Sequence, residues 1–101
     1  MGDIRITAQV LRVLAAMLAI SPAYGGVLMK ETGLASGSLY PILDRLERGG
    51  LIVGTWEDLD PAEAGRPRRR EYVLTPPGRA TAEAEVRAMQ KQLRFRLAWG
   101  I

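Results

Sequence analysis

The sequence predicts a mainly α-helical fold with a small two-stranded β wing, which belongs to the α+β class. Apolar residues recur at helical spacing near the start of the chain, in residues 36–48 and after residue 76. Two strand-like runs, residues 51–57 and 69–74, flank a polar connection that contains Gly and Pro. Helices, a turn and two paired strands in this order indicate a winged helix-turn-helix with a long C-terminal helix.

The length of 101 residues fits one small domain, whose core would gain from burial against a partner chain. We expect residues 1–75 to form the winged helix-turn-helix. Residues 76–101 are expected to form a dimerisation helix that makes one compact unit with it. The formal net charge is +3, and Arg supplies 12 of the 14 basic residues. Arg binds phosphate with a planar fork, although a genomic codon bias would give the same count.

Composition excludes several function classes. The chain has no Cys and no His, so it lacks the thiol nucleophile, the commonest general base and any thiolate metal site. We therefore expect no enzyme, no cofactor and no metal. The longest apolar run, residues 10–20, contains Arg12 and is too short to cross a membrane. No membrane partner and a cytoplasmic location are expected.

The first two helices are predicted from caps and periodicity. Thr7 is a capping residue, and the apolar arc of the helix that follows it is wider than one face. Such a helix packs on both flanks, so we assign Val10 and Leu14 to a dimer contact. Residues 24–32 form a second, shorter helix, which Gly33 ends in the conformation that favours glycine.

The third helix is predicted to follow a Ser36 cap and to present one polar face. Its apolar arc is assigned to the core and consists of Leu39, Ile42, Leu43 and Leu46. Its exposed side carries Gly37, Ser38, Tyr40, Pro41 and Arg45. Small and hydroxyl-bearing residues at the N-terminal end allow close approach to a groove, and the helix dipole there favours phosphate. An ordinary surface helix is the alternative interpretation.

The two strands form the wing with their connection, residues 58–68. Ile52 and Trp56 share one parity and are predicted to face the core, as are Tyr72 and Leu74 in the second strand. The connection is longer than a tight hairpin turn. A wing of this kind follows the recognition helix in the predicted fold.

Charges are divided between the two halves of the wing. The acids are Glu57, Asp58, Asp60 and Glu63. They lack the spacing of a calcium loop, so we interpret them as solvated side chains. The arginines are Arg66, Arg68, Arg69 and Arg70. Beside a recognition helix, such arginines reach backbone phosphates or a minor groove, whereas a solvated charge run is the competing interpretation.

The last helix is predicted to begin at a Thr75 cap with Pro76 in first position and to run to about Trp99. A narrow apolar seam runs along it through Ala82, Val86, Met89, Leu93 and Leu97. About 24 residues span roughly 36 Å, more than a domain of this size needs. We expect the seam from Val86 onwards to pair with its copy in a homodimer; the alternative is packing on the helix's own domain.

A set of motifs carries a family resemblance: Tyr24-Gly25, Thr32-Gly33-Leu34, residues 36–43, Arg45-Leu46-Glu47, Trp56-Glu57, residues 65–70 and residues 72–79. With these motifs the chain resembles the PadR family of bacterial winged-helix transcriptional regulators, nearly end to end. The resemblance implies a homodimer that binds a palindromic operator in double-stranded DNA, usually represses transcription and lies on the bacterial nucleoid when bound. Ser36, Gly37, Ser38, Tyr40 and Pro41 would meet the DNA, with the wing arginines alongside.

The resemblance also implies an effector, because some relatives release DNA when a phenolic or hydrophobic compound binds near the dimer interface. Phe95 and Trp99 resemble an aromatic drug-binding surface of some relatives, so a flat aromatic effector could stack there. Packing of both residues in the dimer is the alternative. The chain departs from the family pattern at Gly26, where relatives often carry a bulky residue, and at Glu71 and Pro77.

One alternative function stays open from the sequence. A winged helix can act as a protein-interaction module that uses the same exposed helix against an acidic partner, without direct operator binding. The wing arginines discriminate between the two, because a DNA-binding protein shows a steep salt dependence.

Overall fold

The computed structural model describes residues 4–100. Residues 1–3 and 101, which end the two predicted units, lie outside the described residues. The elements are α1 (Ala8–Ala19), β1 (Ala23–Tyr24), α2 (Gly25–Thr32), α3 (Ser36–Arg48), β2 (Ile52–Trp56), α4 (Pro61–Ala64), β3 (Arg70–Leu74) and α5 (Pro76–Ala98). The predicted winged helix-turn-helix with a long last helix is confirmed.

Threonine caps fix the starts of the first and last helices. Thr7 Oγ1 accepts a hydrogen bond from the Val10 N–H at 3.2 Å. Thr75 Oγ1 accepts one from the Gly78 N–H at 3.0 Å, and Pro76 takes the first helical position. Each cap satisfies a backbone donor that the helix itself leaves free.

The turn between α2 and α3 is held by one threonine and one glycine. Thr32 Oγ1 donates to the Leu28 carbonyl at 2.6 Å and accepts from the Leu34 N–H at 3.2 Å. Gly33 ends α2 with a φ of 74°. The prediction that Ser36 caps α3 is wrong, because Ala35 holds the extended N-cap position and Ser36 is the first helical residue. The Ser36 side chain is exposed at the helix start.

The sheet has three antiparallel strands among the described residues, not the two predicted, with β3 between β1 and β2. Ala23 pairs with Tyr72, and on the other side of β3 Ile52 pairs with Leu74. The sequence did not reveal β1 because two residues are too few for an alternating pattern. This strand ties the start of α2 directly to the wing.

The hydrophobic core lies between α1, α2, α3 and one face of the sheet. Its members include Val10, Val13, Leu14, Met17, Leu28, Leu39, Ile42, Leu43, Leu46, Ile52, Tyr72 and Ala82. The predicted inner arc of α3 is confirmed in full. The assignment of Val10 and Leu14 to a dimer contact is wrong, because both side chains are at most 1% exposed and pack inside the single chain.

The wing differs from its prediction in two respects. Trp56 does not face the core: it is 62% exposed, because β2 extends past the core after Ile52. The Arg70 guanidinium carbon lies 5.5 Å from the centre of one Trp56 ring. The connection also contains the short helix α4, whose first turn is capped by Asp60 Oδ1, which accepts from the Ala62 N–H at 2.9 Å.

Helix α5 packs at its start and leaves the domain at its end. Gly78 lies against the Leu51 carbonyl, so closely that a Cβ there would overlap it, and Ala82 is fully buried. Exposure then rises from 39% at Met89 to 51% at Leu93 and 78% at Leu97. None of the helices in residues 4–100 is long and apolar enough to cross a membrane.

Candidate nucleic-acid interface

The exposed face of α3 begins with small residues. Ser36, Gly37 and Ser38 are all exposed in the first turn, and a Cβ added to Gly37 would meet nothing within 4 Å. Pro41 lies one turn further on and is also exposed. The start of this helix therefore offers a surface without bulky side chains, which suits close approach to DNA.

Tyr40 connects this face to the start of α2. Its ring and hydroxyl lie so close to Gly25 that any side chain at that position would overlap them. Tyr40 is still 44% exposed, so one side of its ring faces solvent. The pairing fixes the Tyr40 side chain at the boundary between the two helices of the motif.

Glu57 is the centre of a polar network at the base of the wing. Its carboxylate accepts two hydrogen bonds from the Arg66 guanidinium, at 2.7 and 3.0 Å. The Arg69 backbone N–H and the Tyr24 hydroxyl each donate to it at 3.1 Å. The hydrogen bonds from Arg66 lower the pKa of Glu57 from its ordinary 4.5 to about 2. The hydrogen bonds of the Tyr24 hydroxyl to Glu71 and, secondly, to Glu57 raise the pKa of Tyr24. The interpretation of Glu57 as a solvated acid is therefore wrong.

A second ion pair fixes the wing to the recognition helix. Arg70 Nη2 lies 2.9 Å from Glu47 Oε2, and the Gly54 backbone N–H donates to the same oxygen at 3.2 Å. Glu47 belongs to α3, Gly54 to β2 and Arg70 to β3. One carboxylate thus joins both strands of the wing to the helix, which sets the wing's position relative to the exposed face of α3.

The four wing arginines consequently fall into two pairs. Arg66 and Arg70 are bound to carboxylates. Within residues 4–100, Arg68 and Arg69 have no carboxylate within 4.0 Å, and both are exposed. Arg68 Nε donates to the Leu59 carbonyl at 2.9 Å, and the Arg69 guanidinium carbon lies 5.2 Å from the centre of the Tyr24 ring. These two guanidinium groups remain available for phosphate.

The exposed helix face and the wing meet at one cavity of about 750 Å³. Tyr40 of α3 lines it, together with Tyr24 and Gly26 at the start of α2 and residues 68–70 of the wing. The other predicted contacts of α3, residues 36–38, Pro41 and Arg45, are exposed but are not part of this lining. Trp56 and Tyr24 were not assigned to the interface from sequence, because only the β1–β3 and β2–β3 pairings bring them there.

Comparison with known proteins identifies the family of this chain. The model of the PadR-like family of transcriptional regulators matches residues 13–84. The chain belongs to this family. The family and its structural neighbours are regulators of transcription and not enzymes. A PadR-like transcription factor from Bacteroides fragilis superimposes with a TM-score of 0.65 at 26% identity, covering 92% of each chain.

Two further similarities bear on this PadR-like chain. It is 41% identical over 61 residues to the transcriptional regulator Rv3488 of Mycobacterium tuberculosis, a match that covers 60% of the chain and 52% of Rv3488. The chain thus spans about half the length of that relative. BpsR of Bordetella bronchiseptica, whose DNA binding is regulated by 6-hydroxynicotinic acid, superimposes with a TM-score of 0.75 at 21% identity. That match covers 89% of this chain and 60% of BpsR, and shows the shared fold.

The remaining predicted residues of this PadR-like chain lie on or beside the exposed part of α5. Val86 is partly buried against α1, whereas Met89, Leu93 and Leu97 are exposed. Phe95 and Trp99 are 61% and 70% exposed, and their ring centres are 6.1 Å apart. The described residues contain no group of three or more acidic side chains placed to hold a metal ion.

Proposed function

We propose that this chain is a sequence-specific DNA-binding regulator that acts as a dimer and represses transcription. One observation carries the proposal: Tyr40, on the exposed side of α3, shares a cavity with Arg68 and Arg69, which have no carboxylate within 4.0 Å among residues 4–100. The α3 contacts proposed to read and position DNA are Ser36, Gly37, Ser38, Tyr40, Pro41 and Arg45. Arg68 and Arg69 would bind the phosphate backbone, while Arg66 and Arg70 hold the wing in place.

The dimer is proposed to form through α5, so that residues 1–75 bind DNA and residues 76–101 join two copies. Support comes from the rising exposure of Met89, Leu93 and Leu97 along the last turns. A further apolar hollow of about 270 Å³ lies between α1 and α5, lined by Leu11, Ala15 and Val86 among others. Such a surface on a free chain favours association with a second copy.

We propose that a small aromatic or hydrophobic effector releases the DNA. BpsR, which shares this fold, is regulated by an aromatic acid. The exposed Phe95 and Trp99 are the site predicted from the sequence, and their tilted stacking leaves surface for a flat ring. Loss of effector binding in a Phe95→Ala, Trp99→Ala double variant tests this assignment.

The proposed function is tested by binding of the chain to a labelled duplex from its own upstream region at low salt. A scrambled duplex of the same base composition is the matched control. Tighter binding to the upstream duplex supports an operator-binding regulator, whose place in the cell would be on the nucleoid. No binding to either duplex, together with capture of an acidic protein partner, would contradict it and favour the protein-interaction module.

A further inference from the structure

Arg69 lies against the ring of Tyr24. Its guanidinium carbon is 5.2 Å from the centre of that ring, within the distance of a cation–π contact. Tyr24 ends β1 and is the N-cap residue of α2, whereas Arg69 directly precedes β3. Arg69 is exposed, and among residues 4–100 it has no carboxylate within 4.0 Å. In the described part of the chain, its charge therefore rests on an aromatic face and not in an ion pair.

The carboxylate of Glu57 holds both the Tyr24 ring and the backbone of Arg69. The Tyr24 hydroxyl donates to Glu57 Oε2 at 3.1 Å, and the Arg69 N–H donates to Oε1 of the same group at 3.1 Å. The Glu57 N–H in turn donates to the Arg69 carbonyl at 2.8 Å. Glu71 Oε1 also lies 3.1 Å from the Tyr24 hydroxyl, so that either carboxylate can accept its proton. The main chain of Arg69 and the ring beneath its side chain are thus fixed relative to each other.

A guanidinium group that lies on a ring keeps its hydrogen-bond donors available. The ring contacts the face of the planar group, while the five N–H donors lie in its plane and point outwards. Arg69 can therefore bind a phosphate without leaving Tyr24. Ordering a long side chain in advance removes a cost of binding that corresponds to roughly twofold to tenfold in affinity.

Arg68, the neighbouring exposed arginine, is held in a different way. Its Nε donates to the Leu59 carbonyl at 2.9 Å, in the connection of the wing. The supports of Arg68 and Arg69 are therefore independent of each other. A change at Tyr24 should affect Arg69 and leave Arg68 in place.

We propose that Tyr24 is a positioning residue that holds Arg69 ready for the phosphate backbone of DNA. The inference rests on the proposed function, which assigns Arg69 to phosphate. Loss of the Tyr24 ring should weaken DNA binding without changing the number of phosphates that the chain neutralises. The slope of log K against log salt should therefore stay the same, whereas Arg69→Ala removes a phosphate contact and lowers that slope.

The test measures fluorescence anisotropy of the labelled upstream duplex and of its scrambled control with the full chain, over a series of salt concentrations. Tyr24→Leu is expected to weaken binding to both duplexes by about fivefold or more, because phosphate contacts do not depend on sequence. Its salt slope should equal that of the wild type. Tyr24→Phe, which keeps the ring and loses only the hydroxyl, is expected to weaken binding by about twofold or less.

Combination with the arginine variants separates positioning from a general loss of wing structure. Tyr24→Leu is expected to have no further effect on DNA binding by Arg69→Ala, and to keep its full effect on binding by Arg68→Ala. The inference is overturned if Tyr24→Leu leaves wild-type binding unchanged or makes it tighter, or if it weakens Arg69→Ala as much as the wild type.

The outcomes also distinguish this inference from the proposed function. Equal binding of both duplexes by the wild type contradicts sequence-specific regulation alone, since the Tyr24 effect is measured on either duplex. Tighter binding to the upstream duplex with no effect of Tyr24→Leu contradicts the inference alone. No binding to either duplex contradicts both.

Discussion

The division of the wing arginines into two pairs leads to a quantitative prediction about salt. Arg68 and Arg69 have no carboxylate partner among the described residues, whereas Arg66 and Arg70 are bound to Glu57 and Glu47. A guanidinium releases counterions from DNA only when it neutralises a phosphate. Arg68→Ala should therefore reduce the salt dependence of DNA binding, and Arg66→Ala should not.

The size of the effect follows from counterion release. Each phosphate contact contributes about 0.9 to the slope of log K against log salt, so losing Arg68 from both copies of a dimer lowers the slope by about 1.8. Between roughly 50 and 200 mM salt, a change of that size alters the affinity ratio by about twelvefold. Arg69→Ala should have the same effect, and the Arg68→Ala, Arg69→Ala double variant about twice the effect on the slope.

The assay is fluorescence anisotropy of a labelled duplex over a series of salt concentrations. Arg96→Ala is the matched control, because it removes the same charge from the exposed last turn of α5, away from the wing. Its slope should equal that of the wild type. If Arg66→Ala or Arg96→Ala lowers the slope as much as Arg68→Ala does, charge alone accounts for the effect and Arg68 is not a specific phosphate contact.

Three further predictions concern stability and assembly. The folded-state pKa of Glu57, about 2, lies below its ordinary 4.5, so its contribution to stability is present above pH 4.5 and lost as the pH falls towards 2. In thermal scans, the melting temperature of Glu57→Gln should therefore depend less on pH between 4.5 and 2 than that of the wild type. Gly78→Ala should lower the free energy of unfolding by about 1–3 kcal/mol in urea titrations, because its Cβ overlaps the Leu51 carbonyl. The control Gly37→Ala, where the space is open, should gain up to about 1 kcal/mol. Leu93→Asp should convert a dimer to a monomer in sedimentation, and an unchanged mass would rule α5 out as the dimer contact.

Local patterns predicted the helices well. Thr7 and Thr75 are short-range capping signals, and the inner arc of α3 follows from helical periodicity alone. Val10 and Leu14 were misassigned because periodicity shows that a wide arc is buried but not which chain buries it. In the structure, α1 packs both side chains inside the same chain.

The site was less predictable because its partners are distant in sequence. Glu57 looked like one of several loop acids until the fold placed Arg66, Tyr24 and the Arg69 N–H around it. The same strand alternation that correctly placed Ile52 in the core failed for Trp56, because β2 continues beyond the core. Contacts between residues far apart in the chain decide which arginines are free, and a run of arginines in sequence does not reveal them.

The proposed role of the exposed face of α3 is to read DNA sequence. Selection of bound genomic fragments by the wild-type chain tests it most directly, with a Ser38→Ala, Tyr40→Ala variant selected in parallel. The wild type is expected to enrich one palindromic motif whose half-sites lie about one helical turn, roughly 10 base pairs, apart. The variant should bind DNA at low salt but enrich a different motif or none. Enrichment of the same motif by both proteins, or of no motif by the wild type, would contradict the claim.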